Sequence, residues 1–304
     1  MINNCCKIFA NFTRMNRIAE TDLILNDDGS VYHLNLHPGD IADTVITVGD
    51  PGRVSGVSQY FDHIELKKGK REFITHTGTI GTKRFTVLST GIGTDNIDIV
   101  FNELDALVNI DFITRTVNPA LRSLNIIRIG TSGAVQADIE VDSLLLSSSA
   151  IGLDPLMHYY QQALTYDEQG LLGAFKSALP KSNLQPYAAS AGQQLLAVLS
   201  QDEQQGITIT APGFYAPQGR QVRAVAAVPQ LMDVVRQFNF NGRRITNLEM
   251  ETAGIYGLAA ALGHQAVSCN VILANRATQV FSKQPGRIMD QYIRHVLEKI
   301  VASA

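Results

Sequence analysis

Thr44 to Arg53 reads TVITVGDPGR and joins an apolar run to a turn rich in glycine and proline. The run Thr44–Val48 consists of β-branched residues, which is typical of a strand. Directly after it, Gly49 and Gly52 allow the backbone to turn sharply and to expose N–H groups, and Arg53 adds a guanidinium beside them. The stretch therefore predicts a strand that ends in the outline of an anion site.

Outside this stretch, predicted strands and helices alternate along the chain. Apolar runs bounded by turn residues predict further strands at Arg84–Leu88, Asn125–Ile129, Ser143–Leu146 and Ala266–Leu273. Apolar residues at helical spacing predict helices at Asn96–Val108, Ala191–Leu199, Glu251–Leu262 and Arg287–Val301. Residues 154–205 are less regular, and we expect a mobile hairpin or lid there. This order predicts an α/β fold, a single domain with a central twisted mixed β-sheet flanked by helices.

The length of 304 residues is sufficient for one large core, and we expect the domain to span residues 21–304. Residues 1–20 are expected to form an N-terminal extension, and Met15 is an alternative start of translation. Charged residues make up only 17% of the chain and apolar residues 45%. This balance indicates that surface is hidden in subunit contacts as well as in the core, so a homo-oligomer is expected.

Charge and cysteine content exclude several classes of protein. A net charge of −3 without a basic run argues against a nucleic-acid polymer as partner. Cys5, Cys6 and Cys269 lack the paired spacing of a disulfide framework or a zinc site. The apolar patch near the N-terminus is too short for a signal peptide or a membrane span. We expect a cytoplasmic protein that binds small molecules, with no membrane partner and no metal.

Two further glycine-rich segments follow predicted strands. The segment Arg128–Gly133 brings a guanidinium, the hydroxyl of Thr131 and bare backbone donors to a strand end. Together with the turn at Gly49 it can hold one phosphate, although each turn alone is also common in structural roles. The segment Ser89–Gly93 resembles a dinucleotide-binding turn, but Asn96 stands in place of the third glycine. We therefore expect no cofactor there and predict tight packing of the following helix instead.

The segment Phe214–Arg220, FYAPQGR, has the side chains that recognise a flat heterocycle. A ring of the uracil type presents carbonyl oxygens and an imide N–H, so its site needs a planar donor fork and an amide that both donates and accepts. Arg220 and Gln218 supply these groups. Two residues apart on an extended segment, they would project to one face, with Phe214 placed to stack on the ring.

The segment Asn247–Glu251, NLEME, lies where a strand gives way to a helix. One carboxylate, from Glu249 or Glu251, can face a pocket there and accept hydrogen bonds from the vicinal hydroxyls of a ribose. The same two residues are also ordinary acids of a first helical turn, which the helix dipole favours. Both interpretations stay open at this point.

Taken together, these residues resemble the nucleoside phosphorylase family of the trimeric and hexameric type, from about Val31 to the C-terminus. The resemblance implies a phosphate site made of Gly49, Arg53, Arg71, Arg128 and Thr131. It implies a ribose site made of His33, Glu249, Met250, Glu251 and Thr131, and a base site made of Phe214, Gln218 and Arg220. In that family a neighbouring subunit lends the residues matched by Arg71 and His33. The implied minimal active unit is therefore a dimer, within an assembly that is a hexamer.

The implied reaction is phosphorolysis of uridine, a pyrimidine nucleoside, to uracil and ribose 1-phosphate, in nucleoside salvage or catabolism. Arg220, Gln218 and Arg128 would be the catalytic residues, and inorganic phosphate would be a co-substrate with no cofactor. The alternatives are a purine nucleoside phosphorylase, a nucleosidase that uses water, and a non-catalytic nucleoside-binding protein. Relatives that act on purines usually carry an aspartate in the loop after the last predicted strand, and here residues 273–278 contain none.

Some members of that family hold a monovalent cation near the residue matched by Glu72. Asn96 stands where those members carry a small hydroxyl side chain. No cation is therefore predicted.

Overall fold

The computed structural model describes residues 17–179 and 182–303. The strands are β1 Thr44–Val48, β2 His63–Lys70, β3 Phe73–Ile80, β4 Lys83–Ser89, β5 Ile110–Asp111, β6 Thr116–Val117, β7 Asn125–Ala134, β8 Leu144–Gly152, β9 Tyr187–Ser190, β10 Gln204–Thr210, β11 Asn239–Phe240, β12 Arg243–Glu249, β13 Gln265–Asn275 and β14 Val280–Phe281. The helices are α1 Pro51–Ser58, α2 Thr94–Asn109, α3 Tyr166–Ala178, α4 Gln193–Leu199, α5 Leu231–Gln237, α6 Thr252–Leu262 and α7 Pro285–Ala302. Met15, Cys5, Cys6 and most of the expected extension lie outside the described residues.

One 12-stranded mixed sheet organises the fold, with the order β11-β12-β10-β8-β13-β7-β1-β4-β3-β2 and with β9 and β14 paired to β8 and β13. The strand β1 is parallel to both of its neighbours, β4 and β7. The strand β13 is parallel to β7 but antiparallel to β8. Helices flank this sheet, so the predicted fold class is confirmed.

Part of the sheet closes on itself. The strand β12 pairs with β10 and also with β7, through Asn247 opposite Ala134 and Leu248 opposite Gly133. The strands β7, β13, β8, β10 and β12 therefore form a continuous circle of paired strands, called here the closed ring. Closure removes two sheet edges and creates an interior lined by residues of all these strands.

The strand β1 and the helix α1 show how the sequence builds the site. Val45, Ile46 and Val48 are fully buried, as expected for a central strand covered on both faces. The Asp50 side chain accepts a hydrogen bond from the backbone N–H of Gly52 at 2.9 Å and caps α1. The glycine-rich turn after the strand was predicted, whereas the helix α1 that it begins was not, and α1 places residue 53 in its first turn.

All five predicted strands and all four predicted helices are present, and only β1 has the predicted bounds. The largest shift is in β8, which continues to Gly152 instead of ending at Leu146. The strand β7 continues to Ala134 because the glycines interpreted as its end pair with β13. The hairpin expected at residues 154–205 is absent from the described residues of that segment, whereas the lid stays a prediction. A capping box of Thr165 and Glu168 begins α3 there, and β9 joins the sheet beside β8. Across residues 17–179 and 182–303, every helix falls short of the length or apolarity that a bilayer crossing demands.

Candidate active site

A cavity of about 700 Å³ lies where β1, β4 and β12 end. Its lining includes most residues predicted for the site, namely Gly49, Arg53, Arg128, Thr131, Phe214, Gln218, Arg220, Glu249, Met250 and Glu251. The other two predicted residues, His33 and Arg71, lie elsewhere in the described part of the chain. Segments spread over two hundred residues of sequence thus converge, because the carboxyl ends of neighbouring parallel strands share one edge of the sheet.

Three guanidiniums line the cavity, those of Arg53, Arg128 and Arg220. Arg53 lies in the first turn of α1, and its Nη1 donates to the carbonyl oxygen of Ile129 at 3.4 Å. Burial, together with the positive charge of Arg128, lowers the pKa of Arg53. Since like charges in a buried site repel each other, an anion that contacts both arginines is favoured.

Arg128 is held from several sides. Its Nη2 donates to Glu251 Oε2 at 2.6 Å and lies 3.1 Å from Glu249 Oε2, while Nη1 donates to Asn270 Oδ1 at 3.0 Å. Burial opposes its charge, but the two carboxylates outweigh burial and raise the pKa of Arg128. Gly130 allows this position, since a Cβ there would lie 2.0 Å from Nη1.

The two glutamates of the NLEME segment have different partners. Glu249 accepts hydrogen bonds from the Thr210 hydroxyl at 2.6 Å and from the backbone N–H groups of Glu251 at 2.9 Å and Thr252 at 3.0 Å. These are the contacts of a carboxylate that caps the start of α6. Glu251 Oε1 accepts only the N–H of Gly93 at 2.9 Å, and Glu251 lines the cavity. Burial, opposed by Arg128, raises the pKa of Glu251.

Gln218 and Arg220 form a pair. Arg220 Nη1 donates to Gln218 Oε1 at 2.6 Å and to the carbonyl oxygen of Phe214 at 2.7 Å. The Arg220 guanidinium stacks on one face of the Phe214 ring, 3.8 Å from its centroid. The expected extended segment is wrong, because residues 216–218 form a 3₁₀ turn with Pro217 at its second position, followed by Gly219 with φ 68°. The turn nevertheless brings the predicted side chains together.

Sequence reasoning missed Arg276 as a functional residue. Its Nη1 donates to the backbone carbonyl of Gln218, so it stabilises the backbone at the Gln218–Arg220 pair. Burial, followed by the charge of Arg220, lowers the pKa of Arg276. Residue type could have indicated Arg276, since it is the one cation in the loop after β13. The prediction for that loop depended only on its lack of an aspartate. Asn275 beside it caps the loop by accepting from the N–H of Ala277 at 2.8 Å.

His33 and Arg71 lie together on another surface. The His33 ring meets the Tyr32 ring edge to face at 4.8 Å between centroids, and the Arg71 guanidinium lies 5.9 Å from the centre of the same ring. The Glu103 carboxylate orients His33 by a contact of 2.6 Å to Nδ1 and by accepting its backbone N–H at 2.9 Å. Glu72, next to Arg71, does line the cavity.

The Asn96 side chain contacts Glu72, the residue near which the resemblance gives some family members a monovalent cation. Asn96 Nδ2 donates to Glu72 Oε1 at 3.3 Å. Gly91 packs tightly against this amide, since a Cβ there would lie 2.3 Å from Asn96 Nδ2, as predicted for the turn before α2. Among the residues that the structure describes, no cluster of His, Cys, Asp and Glu is arranged to hold a metal ion.

Comparison with known proteins agrees with this fold and site. The sequence model of the phosphorylase superfamily matches residues 43–297. The chain therefore belongs to the phosphorylase superfamily, which confirms the predicted resemblance.

Among individual proteins, the chain is 29% identical over 267 residues to a uridine phosphorylase of Thermococcus kodakarensis, covering 84% of this chain and 82% of that protein. It is 28% identical over 244 residues to a DeoD-type purine nucleoside phosphorylase of Bacillus velezensis, covering 78% and 84%. A crystal structure of a Trypanosoma brucei nucleoside phosphorylase with uridine phosphorylase activity superposes with a TM-score of 0.84 at 29% identity. That match covers 92% of this chain and 100% of the other.

Proposed function

We propose that this protein is a uridine phosphorylase, which converts uridine and inorganic phosphate reversibly to uracil and ribose 1-phosphate. The observation that carries the proposal is the Gln218–Arg220 pair in the same cavity as Arg53 and Arg128. The pair matches the carbonyl and imide groups of uracil, and the two arginines match a phosphate. The named relatives with uridine phosphorylase activity support the same substrate.

Catalysis rests on position and charge. Arg53 and Arg128, with the backbone at Gly49 and the Thr131 hydroxyl, hold phosphate against the anomeric carbon of the nucleoside. The phosphate oxygen attacks as the glycosidic bond breaks, and the bonding electrons leave with the base. Arg220 and Gln218 stabilise the negative charge that grows on the uracil oxygens, an interaction that strengthens in the transition state. Phosphate itself is the nucleophile, so the reaction needs no cofactor.

Glu251 and Met250 hold the ribose. Glu251 has free lone pairs and accepts from the vicinal hydroxyls, whereas Glu249 already accepts hydrogen bonds from protein groups and positions the start of α6. Transfer of Arg128 toward an incoming phosphate frees Glu251 Oε2 for a hydroxyl donor. The two substrates should therefore bind synergistically.

A second copy of the chain completes the site. Arg71 contacts the phosphate and His33 the 5′-hydroxyl of the ribose, both across a subunit interface, because neither lines the cavity of its own chain. The minimal active unit is a dimer, and the assembly is a hexamer. Complementation tests this sharing. Arg71→Gln and Arg53→Gln enzymes should each be nearly inactive. Dimers that contain one chain of each should regain one intact site, and failure of every mixture to regain activity would contradict sharing.

The decisive experiment measures uracil released from uridine as a function of phosphate concentration, with inosine as the competing substrate. We expect saturable, phosphate-dependent release of uracil and little reaction of inosine. Release without phosphate would indicate a nucleosidase, preference for inosine a purine enzyme, and binding without turnover a nucleoside-binding protein.

The base contact is tested by Arg220→Ala. Loss of a hydrogen bond from a charged donor, about 1.5 to 3 kcal/mol, should lower kcat/KM for uridine by about one to two powers of ten. Arg223→Ala is the matched control, since Arg223 is an exposed arginine of the same loop outside the cavity lining. Equal rates for the two variants would remove Arg220 from the mechanism.

A further inference from the structure

The interior of the closed ring contains a run of polar side chains where small barrels are usually filled by apolar ones. Every strand of the ring contributes one member. The members are Ser132 on β7, Asn270 on β13, Ser147 on β8, Thr208 on β10 and Asn247 on β12. Together they are called here the polar belt. All are buried, and all but Ser132 have no exposed surface.

The polar belt is hydrogen-bonded from end to end. Asn270 Nδ2 donates to Ser147 Oγ at 2.9 Å, and Ser147 Oγ contacts Thr208 Oγ1 at 2.5 Å. Thr208 Oγ1 donates to Asn247 Oδ1 at 2.8 Å, and Asn247 Nδ2 donates to Ser132 Oγ at 3.0 Å. The belt begins at Arg128, whose Nη1 donates to Asn270 Oδ1 at 3.0 Å.

The direction of these hydrogen bonds is fixed by chemistry. A guanidinium only donates, so the Asn270 oxygen must face Arg128 and its amide N–H must face Ser147. Ser147 then donates to Thr208, which donates to Asn247. The last hydrogen belongs to Ser132, whose oxygen already accepts from Asn247 and whose residue lines the cavity. One-way arrays of this kind polarise each member in turn.

We propose that the polar belt is a positioning device for the phosphate-binding guanidinium, with Asn270 as its principal residue. Asn270 fixes Arg128 in the plane that meets phosphate, and the rest of the belt fixes Asn270. Its far end presents the Ser132 hydroxyl to the cavity as a donor. A set of apolar side chains would fill the ring without the risk of unsatisfied polar groups, so the belt has a purpose beyond packing. The proposal rests on the proposed function, because it assigns phosphate to Arg128.

Asn270→Leu tests this role, since it keeps the volume and removes the acceptor of Arg128. Loss of a hydrogen bond to a charged group should raise KM for phosphate by about tenfold or more, with a smaller change in KM for uridine. The rise in Tm that inorganic phosphate induces should shrink in parallel. Thr208→Val interrupts the belt away from both Arg128 and the cavity, and should raise KM for phosphate by a smaller factor, about threefold. Thr208→Val also tests the positioning role if the Asn270→Leu chain does not fold.

The matched control is Thr77→Val, which removes a buried hydroxyl that contacts Thr86 at 2.8 Å in β3 and β4. Its KM for phosphate should equal that of the wild type. The positioning role is overturned if Asn270→Leu and Thr208→Val leave phosphate binding unchanged, or if KM for phosphate and uridine change equally. A wild-type chain that phosphate stabilises without release of uracil would contradict the proposed function but not the belt. A wild-type chain that phosphate does not stabilise would overturn the belt's role.

Discussion

Gly130→Ala is the most sensitive probe of how Arg128 is held. A Cβ at residue 130 would lie 2.0 Å from Nη1, 2.4 Å from Cζ and 2.7 Å from Nη2 of Arg128. Ordinary contacts between such atoms are about 3.5 Å or longer, so the guanidinium must move by roughly 1 Å or more. That displacement breaks the hydrogen bonds of 3.0 Å to Asn270 and 2.6 Å to Glu251.

The expected loss of stability follows from the buried carboxylates that lose the Arg128 guanidinium as their partner. Glu249 and Glu251 are buried carboxylates, and loss of one partner of a buried ion pair destabilises a protein by about 3 to 5 kcal/mol. A domain of this size should then lose on the order of 10 °C in Tm. KM for phosphate should rise at least tenfold. Without the clash, Gly130→Ala would stabilise the folded protein, since Gly in a strand interior costs about 0.5 to 1 kcal/mol relative to Ala.

Calorimetry with and without phosphate, combined with steady-state rates, measures both effects. Gly173→Ala in α3 is the control, because nothing lies within 4 Å of a Cβ built there, and it should raise stability by up to about 1 kcal/mol. A Gly130→Ala enzyme with the Tm and phosphate KM of the wild type would refute the position of the Arg128 guanidinium over Gly130.

Arg276→Met should raise KM for uridine about tenfold and leave KM for phosphate unchanged, as steady-state kinetics can show, because the guanidinium supports Gln218 through its backbone carbonyl. Tyr187→Phe should lower the free energy of unfolding in denaturant by about 1 to 3 kcal/mol, since its hydroxyl donates to the buried Asp154 carboxylate at 2.9 Å. Burial, assisted by Lys67, lowers the pKa of His76 below 6.5. The unfolded chain then binds the proton more readily, so stability should fall as the pH drops through 6.5, and less so in His76→Gln, when unfolding is followed between about pH 5 and pH 8.

The sequence was most informative where local chemistry decides structure. Thr44–Val48 has the bounds of β1, and a sharp turn follows it as expected, because β-branched residues and proline restrict the backbone and glycine allows sharp turns. The helix α1 that begins after this turn was not predicted. Residue type alone also predicted a base site of Phe214, Gln218 and Arg220, and the structure brings these three residues together. Their backbone conformation was not predicted, since Pro217 and Gly219 specify a tight turn rather than an extended segment.

Features that depend on tertiary pairing were beyond the reach of local patterns. The sequence left Glu249 and Glu251 equivalent, and only the approach of Thr210 and Gly93 from distant segments distinguishes them. Asn270 lies in a mostly apolar strand that also contains Ser268, and its residue type indicates no role until the closed ring brings its partners together. The helix α3 was not predicted, because its hydrophobic face is narrow and the capping box of Thr165 and Glu168 was not recognised in the sequence.

The charges of the cavity favour the proposal that a second chain completes the site. The lining contains three guanidiniums and four carboxyl groups, namely Arg53, Arg128, Arg220, Asp50, Glu72, Glu249 and Glu251. A phosphate adds about −1.5 charge at neutral pH, which this set does not neutralise. Arg71 lies outside the cavity of its own chain, exposed on a hairpin turn with φ 56°, where another chain can reach it. On the proposal of a shared site, a further guanidinium delivered across an interface would offset part of this negative charge, and phosphate binding would depend on assembly.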